Sequence, residues 1–312
     1  MAHAHRHGAP ERLGEALGAR RADTRRRMLV ALAINLVLLA ATFVGALLTG
    51  SLALLADAGH ILSDVGAIGL GLAAGGLAAL PGGPRRTFGY QRTEVIAALV
   101  NGIALAVIAI LVAIEAIDRL GEPPEIAGLG VLLLGIAGVA GNLAATWVLA
   151  RGAREDLNLE AVLRHSAADA LGSVGVIVSG GVILATGWAP IDPLASLAIA
   201  ALILASSVRL IAEPVNVLME AAPAGMDAVK IAREMTEVEH VRAIHDLHVW
   251  TVTAGFEALA AHVVTEPGAD RDLVRRTLEV MLNERHGIRH TTLQMEEEAP
   301  AELLDVEATP AE

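Results

Sequence analysis

A chain of 312 residues that is 54% hydrophobic, carries 31 Gly and has a mean hydropathy of +0.56 is too apolar for an ordinary soluble domain and reads as a membrane protein. It contains no Cys, which excludes disulfides, thiolate metal sites and cysteine nucleophiles and leaves any metal chemistry to His, Asp and Glu. The net charge of −12 argues against nucleic acid as a partner, although the sign is uneven, with arginines crowding the first third and acids the last.

The first 27 residues are polar and open on "HAHRH", whose His3, His5 and His7 either collect metal at the cytoplasmic mouth or, the preferred reading, belong to an unstructured, weakly binding tail. Six apolar stretches of the roughly 20 residues a transmembrane helix needs then follow, at about 28–48, 52–79, 91–117, 126–150, 162–186 and 192–212. The first is not a cleaved signal, because a polar segment of 27 residues precedes it. Lys and Arg near helix ends stay cytoplasmic. Arg20, Arg21, Arg25, Arg26 and Arg27 precede span one, Arg85, Arg86 and Arg92 lie between spans two and three, and Arg151, Arg154 and Arg164 lie between four and five. The alternate connections offer only Arg119. This bias places both termini in the cytoplasm; the membrane itself is expected to be a bacterial-type inner membrane.

From about residue 213 the composition becomes that of a soluble domain. "GMDAVKIAREMTEVE" has helical periodicity, and "VRAIHDLHVWTV" and "FEALAAHVVTE" alternate across a Gly turn. "DRDLVRRTLEVMLNERHG" is helical and ends at Gly287, and "HTTLQMEE" reads as a last strand. The order α-β-β-α-β over 213–297 is enough for one two-layer α+β domain. The domains expected are therefore a tail at 1–27, a six-helix membrane bundle at 28–212, a soluble domain at 213–297 and a disordered acidic tail at 298–312.

Ionisable groups inside a membrane span are expensive and usually line a functional path. Span two carries His60 and Asp64, and span five carries His165 and Asp169. Each pair is His-x-x-x-Asp, which puts both side chains on one helix face about one turn apart. Two such faces turned toward each other supply two imidazoles and two carboxylates, a set that tetrahedral Zn(II) accepts. A lone histidine there would read as a satisfied core residue; two identical pairs on two spans do not. Asp57 lies three residues before His60 and is open to three readings: ligand, entry carboxylate or proton carrier, with a role outside the ligand set preferred. Asn35 and Asn142 are amides that either orient the ligands or join helices. Gly-rich surfaces, "GAIGLGLAAGG" on span two and "GSVGVIVSGG" on span five, let helices approach closely.

With these residues in place, the chain resembles the cation diffusion facilitator family of metal transporters over about 28–297, through "GSLALLADAGHILSDVGAIG", "FGYQRTEVIAALVNG", "RHSAADALGSVGVIVSG", "IDPLASLAIAALIL" and "HDLHVWTVT". The resemblance implies six transmembrane helices with a cytoplasmic, metallochaperone-like α-β-β-α-β domain, in a homodimer embedded in the lipid bilayer. Its members export divalent cations in exchange for protons. It places the transport site on His60, Asp64, His165 and Asp169, with a histidine at the first position as in zinc-preferring members. It also implies a regulatory metal site of His245, His262 and Glu296 near the dimer interface, and an ion pair between Arg92 and Glu220 that links the bundle to the cytoplasmic domain. Zn(II) is thus expected as substrate and as regulatory ligand, with no organic cofactor.

Some features depart from the family pattern. Gln294 stands where some members have a His ligand and no Cys completes a site, so a binuclear centre is not expected. The connection "LPGGPRRTFGY" lacks the Asp and His cluster of an additional site, and the connection between spans four and five lacks a His-rich insert. By strand parity His248 points away from His245 and is structural. Rival readings are a carrier for Cd(II), Co(II), Fe(II) or Mn(II), an intramembrane metalloprotease, for which His-Glu-x-x-His is missing, and a membrane metal sensor without transport.

Overall fold

The computed structural model describes residues 8–78, 80, 82–153 and 159–297. The chain divides into two compact units, Met1–Leu80 with Ile96–Ala212, and Pro81–Val95 with Glu213–Glu312. His3, His5, His7 and the tail 298–312 lie outside the described residues.

The first unit is built from α1 (Gly8–Thr49), α2 (Leu52–Ala78), α3 (Thr93–Arg119), α4 (Gly128–Ala153), α5 (Leu159–Thr186) and α6 (Ile191–Leu218), the last two turns of α6 and the first of α3 belonging to the second unit. The helix of α1 begins well before the apolar run, at Gly8, so part of the polar segment is helical. Five segments are long and apolar enough to cross a membrane: Arg26–Thr49, Leu52–Ala74, Thr93–Arg119, Gly128–Val148 and Ile191–Leu218. In α5 the apolar stretch among the described residues is shorter, Gly172–Thr186. Leu48 and Val37 are 81% and 71% exposed, which suits side chains facing lipid, where apolar contact is no penalty. Inward, Leu52, Leu54, Leu105, Val131, Val176 and Ile199 join one buried cluster drawn from α2 to α6.

Close helix contact rests on particular glycines. A Cβ at Gly180 on α5 would lie 2.5 Å from Leu132 N on α4, and one at Gly135 on α4 would lie 2.9 Å from Ile177 on α5. Small residues therefore bring α4 and α5 together, as expected of span five. On α2 the outcome is mixed: a Cβ at Gly66 would lie 2.7 Å from Asn101 Oδ1 on α3, whereas Gly69, Gly71 and Gly76 have nothing within 4 Å of an added Cβ.

One carboxylate that sequence pattern does not single out organises the start of α2. Asp192, at the N-terminal end of α6, is fully buried and accepts from Ser51 Oγ (2.6 Å), Leu52 N (2.7 Å), Ala53 N (3.3 Å) and Ser179 Oγ (3.0 Å). It caps the helix bearing His60 and Asp64 from another helix, satisfying N–H groups that have no partner within α2.

The second unit contains α7 (Ala228–Thr236), β1 (Val241–Thr253), β2 (Phe256–Thr265), α8 (Arg271–His286) and β3 (His290–Glu296), the α-β-β-α-β order expected from periodicity. Asp270 caps α8 by accepting from Asp272 N and Leu273 N, and Gly287 ends it with φ 71°, a left-handed conformation that glycine adopts without a Cβ clash. The sheet runs β1-β2-β3, with β1 antiparallel and β3 parallel to β2. Ile231 and Met235 of α7 and Val274, Leu278 and Leu282 of α8 are buried with Val249, Leu259 and Val263 of the sheet. The segment before α3 and the first turn of that helix pack into this unit: Phe88 meets Phe256 and His290 edge-on, and Thr253 Oγ1 donates to Glu94 Oε2 at 3.0 Å.

Candidate metal centres

In the first unit, Asp57, His60 and Asp64 occupy successive turns of one face of α2, as their spacing dictates. Asp169 of α5 meets that face, its Oδ1 accepting from His60 Nε2 at 2.7 Å. One donor atom from each of His60, Asp64 and Asp169 falls within 4.8 Å of the others. A nitrogen and two carboxylate oxygens so close, with Asp169 only 6% exposed, form a compact N/O donor set. Hard or borderline divalent cations suit such a set. His165 falls on α5 one turn before Asp169; its side chain lies outside the described residues.

Two cavities flank this set. One, of about 190 Å³, is lined by Asp64 and Asp169 with Asn35, Asn142 and Thr146, between α1, α2, α4 and α5. It places both expected amides beside the carboxylates, each amide 6% exposed, and adds Thr146, whose spacing gave no signal. The other, of about 90 Å³, lies toward α6 and is lined by Asp57 and His60 with Gly172, Ile199, Leu202, Ile203 and Ser206. Asp57 is fully buried; Ser173 Oγ donates to its Oδ1 at 3.3 Å.

In the second unit, His245, His262 and Glu296 come from three adjacent strands. The register sets His245 opposite His262, with Gln294 opposite His262 on the other side. Glu296 joins them, Oε2 accepting from His245 Nε2 (3.0 Å) and Oε1 from His262 Nδ1 (2.8 Å) and Gln294 Nε2 (2.8 Å). The imidazole centroids are 4.9 Å apart. The hydrogen bond from His245, followed by those from Gln294 and His262, holds the Glu296 carboxyl below the usual glutamate range despite partial burial. Two imidazoles and an anionic carboxylate within 4.8 Å fit a Zn(II)-type cation by donor chemistry.

His248 is a correction. Between His245 and His248 the ladder slips: β1 advances three residues while β2 advances two, from His262 to Ala260. This bulge, at which Asp246 takes φ 48°, restores His248 to the face of His245, whereas unbroken alternation predicts the opposite face. His248 Nε2 donates to Asp246 Oδ1 at 2.9 Å, which holds the Asp246 carboxyl below its usual range, and Asp246 Oδ2 lies 3.7 Å from His262 Nε2. Asp246 thus borders the cluster, a residue that sequence reasoning passed over. The only hint was the tolerance of Asp for left-handed backbone. Arg92 and Glu220 do meet, at 2.8 Å, with both partners in the second unit.

Residues 28–219 match the family model described as "Cation efflux transmembrane domain", and residues 223–298 match "Cation efflux protein, cytoplasmic domain". The zinc transporter ZitB of Escherichia coli (strain K12) is 38% identical over 95% of this chain and 93% of its own length. A cadmium, cobalt and zinc/H(+)-K(+) antiporter of Bacillus subtilis (strain 168) is 38% identical over 69% of this chain and 70% of its own. Among solved structures, the metal-bound C-terminal domain of the CzcD transporter is 30% identical over 23% of this chain and 99% of its own, with a TM-score of 0.22. With most of its length matched by the two family models and a full-length relative at this identity, the chain belongs to the cation efflux family of membrane transporters.

Proposed function

We propose that this protein is a homodimeric exporter of Zn(II) from the cytoplasm of a bacterial cell, driven by counterflow of protons through a six-span bundle with both termini cytoplasmic. The observation that carries the reading is the convergence of His60, Asp64 and Asp169 in the apolar unit. His165, one turn from Asp169 on α5, completes the tetrahedral set. A bare dication cannot cross hydrocarbon, so fixed ligands must replace its water midway. Asp64 and Asp169 neutralise its charge; the imidazoles add affinity without further charge. Metal loading requires deprotonated ligands, so proton uptake at the histidines and metal release are linked. The relationship to a zinc transporter over nearly the whole chain supports zinc as the cation, and the named breadth of the Bacillus subtilis relative makes Cd(II) and Co(II) the substrates to test beside it.

In the C-terminal unit, His245, His262 and Glu296 hold a second, regulatory cation, and the Arg92–Glu220 pair ties the residue just before α3 to the residues just after α6 within that same unit. The match of this region to the family's cytoplasmic domain supports pairing of two chains there.

The test is Zn(II) flux into proteoliposomes under an imposed pH gradient. Asp64→Ala and Asp169→Ala should each abolish gradient-driven uptake. Wild-type rates in both would refute the transport site. His60→Asp should broaden selectivity toward Cd(II), and unchanged selectivity would remove His60 from discrimination.

A further inference from the structure

Among the described residues of the first unit two carboxylates are completely buried, and they are not alike. Asp192 has four donors, and both of its oxygens are engaged. That is the ordinary condition of a structural buried acid. Asp57 accepts one hydrogen bond among the described residues, the 3.3 Å bond from Ser173 Oγ to Oδ1, and its Oδ2 has no hydrogen-bond partner among them. The space around it is kept open by glycine: an added Cβ at Gly138 would lie 3.5 Å from Oδ2 and one at Gly172 3.7 Å from Oδ1. An acid without adequate partners in an apolar bundle is costly to maintain, and cannot be explained as a clasp between helices.

Its position supplies the reason. Asp57 and His60 line the α6-side cavity, while Asp64 and Asp169 line the other. The 2.7 Å bond from His60 to Asp169 joins one cavity to the other. A dication held by two carboxylates cannot leave into a purely apolar space; passage requires neighbouring sites, each strong enough to accept the ion and weak enough to release it. The α6-side cavity has the components of such a neighbour. They are one carboxylate (Asp57), an imidazole shared with the first set (His60) and a hydroxyl, Ser206, whose proton is committed to Ile203 O at 2.8 Å so that its oxygen presents lone pairs. About 90 Å³ accommodates a dication with roughly two waters, at ~30 Å³ for each water.

We propose that Asp57 is the anionic ligand of a second divalent-cation position in the α6-side cavity, one step along the path from the set containing Asp64 and Asp169, with His60 common to both. This rests on the reading of that set as the transport site. With one carboxylate in place of two, the second position is the weaker, as a release step requires.

The experiment uses the full chain in proteoliposomes and three variants. Asp57→Asn keeps the side chain's shape and an oxygen for Ser173 while removing the charge. It should lower Zn(II) flux by about tenfold or more while tight Zn(II) binding at equilibrium stays as in the wild type, because the first set is intact. Ser206→Leu, which fills the cavity and leaves Asp57 in place, should show the same split and keeps the proposal testable if Asp57→Asn does not fold. Asp57→Cys introduces the only thiol in the chain, and adding Cd(II) should raise an ultraviolet Cd–thiolate band absent from the wild type. Flux of Asp57→Asn within about twofold of wild type, when the expected loss is tenfold, would overturn the proposal. So would loss of its tight Zn(II) binding, which would make Asp57 a support of the first set. Wild-type flux of Asp57→Asn down a Zn(II) gradient with loss only of the response to pH would assign Asp57 to protons and overturn it too. Failure of the transport-site reading shows elsewhere, as wild-type transport by Asp64→Ala and Asp169→Ala.

Discussion

Asp192→Asn should destabilise the membrane unit by an amount that the hydrogen bonds around it fix. Oδ1 serves the hydroxyls of Ser51 and Ser179, and Oδ2 serves Leu52 N at 2.7 Å and Ala53 N at 3.3 Å. An amide keeps one acceptor oxygen. Whichever way it is placed, its NH₂ meets two donors, either the backbone N–H groups at the start of α2 or the two hydroxyls. The hydroxyls can rotate and the backbone cannot, so the oxygen turns toward Leu52 and the NH₂ toward Ser51 and Ser179. The 2.7 Å bond then survives without its charge assistance, and the hydroxyls lose their acceptor. A bond to a charged partner contributes about 1.5–3 kcal/mol and a neutral one about 1, and a buried group left unpaired costs about 1–3 kcal/mol. Lost charge assistance together with one unpaired hydroxyl comes to about 3 kcal/mol. At roughly 2–4 °C per kcal/mol for a unit of this size, Tm falls by about 6–12 °C. The assay is thermal unfolding of the purified protein in nanodiscs, with Asp192→Ala falling further still. A decrease below about 2 °C for Asp192→Asn, less than one kcal/mol on that scale, would show that the four contacts do not hold α2 as argued.

Asp57→Asn is the paired control: with one long contact and a charge whose burial is unfavourable, the amide should leave Tm unchanged or raise it in the same assay. Gly180→Ala drives a Cβ to 2.5 Å from Leu132 N and should cut the yield of folded protein and lower Tm, whereas Gly181→Ala, with nothing within 4 Å, should be silent. The Glu234 carboxyl is held below its ordinary value of 4.5 by its hydrogen bond from His286. It therefore stabilises the α7–α8 contact at pH above that value and ceases to do so as pH falls through its depressed folded value. Hydrogen exchange of α7 and α8 should be faster in Glu234→Gln than in wild type at neutral pH, and the difference should vanish well below pH 4.5. A difference that persists in acid would assign the effect to packing.

Periodicity carried the element order because each apolar repeat has only one way to bury its face. The five long spans and the α-β-β-α-β unit were legible for that reason, and so was the end of α8 at Gly287. The pairing of His60 with Asp169 was legible from two matched spacings, since a helix face is fixed by residue count alone. What was lost depended on irregularity or on distance along the chain. His248 was turned to the wrong face because parity counting assumes an unbroken ladder, and one extra residue at Asp246 reverses it. Asp192 gave no signal because an acid at a helix start looks like an ordinary N-terminal charge, and its partners lie some 140 residues away in sequence. The glycine runs of α2 and α5 read alike, yet among the described residues of the two runs only Gly180 of α5 meets a neighbour's backbone, Gly66 of α2 meets a side chain, and Gly69, Gly71, Gly76 and Gly181 meet nothing, since closeness belongs to the pair of helices and not to either sequence.

The same reasoning separates the three acids of α2 and its cap. Spacing puts Asp57, His60 and Asp64 on one face and so treats the two acids as equivalent; the packing around them does not. Asp64 shares a cavity with Asp169 and two amides, whereas Asp57 shares one with aliphatic side chains of α6 and a serine. Asp192 is as buried as Asp57 but saturated with donors. Burial is therefore uninformative about role, and the count of satisfied oxygens is what discriminates. A saturated acid fixes the helix that carries the ligands. An acid with an open oxygen beside an open cavity has capacity to bind something that arrives and leaves, and in a bundle whose first ligand set already presents two carboxylates, a mobile dication is the partner that capacity fits.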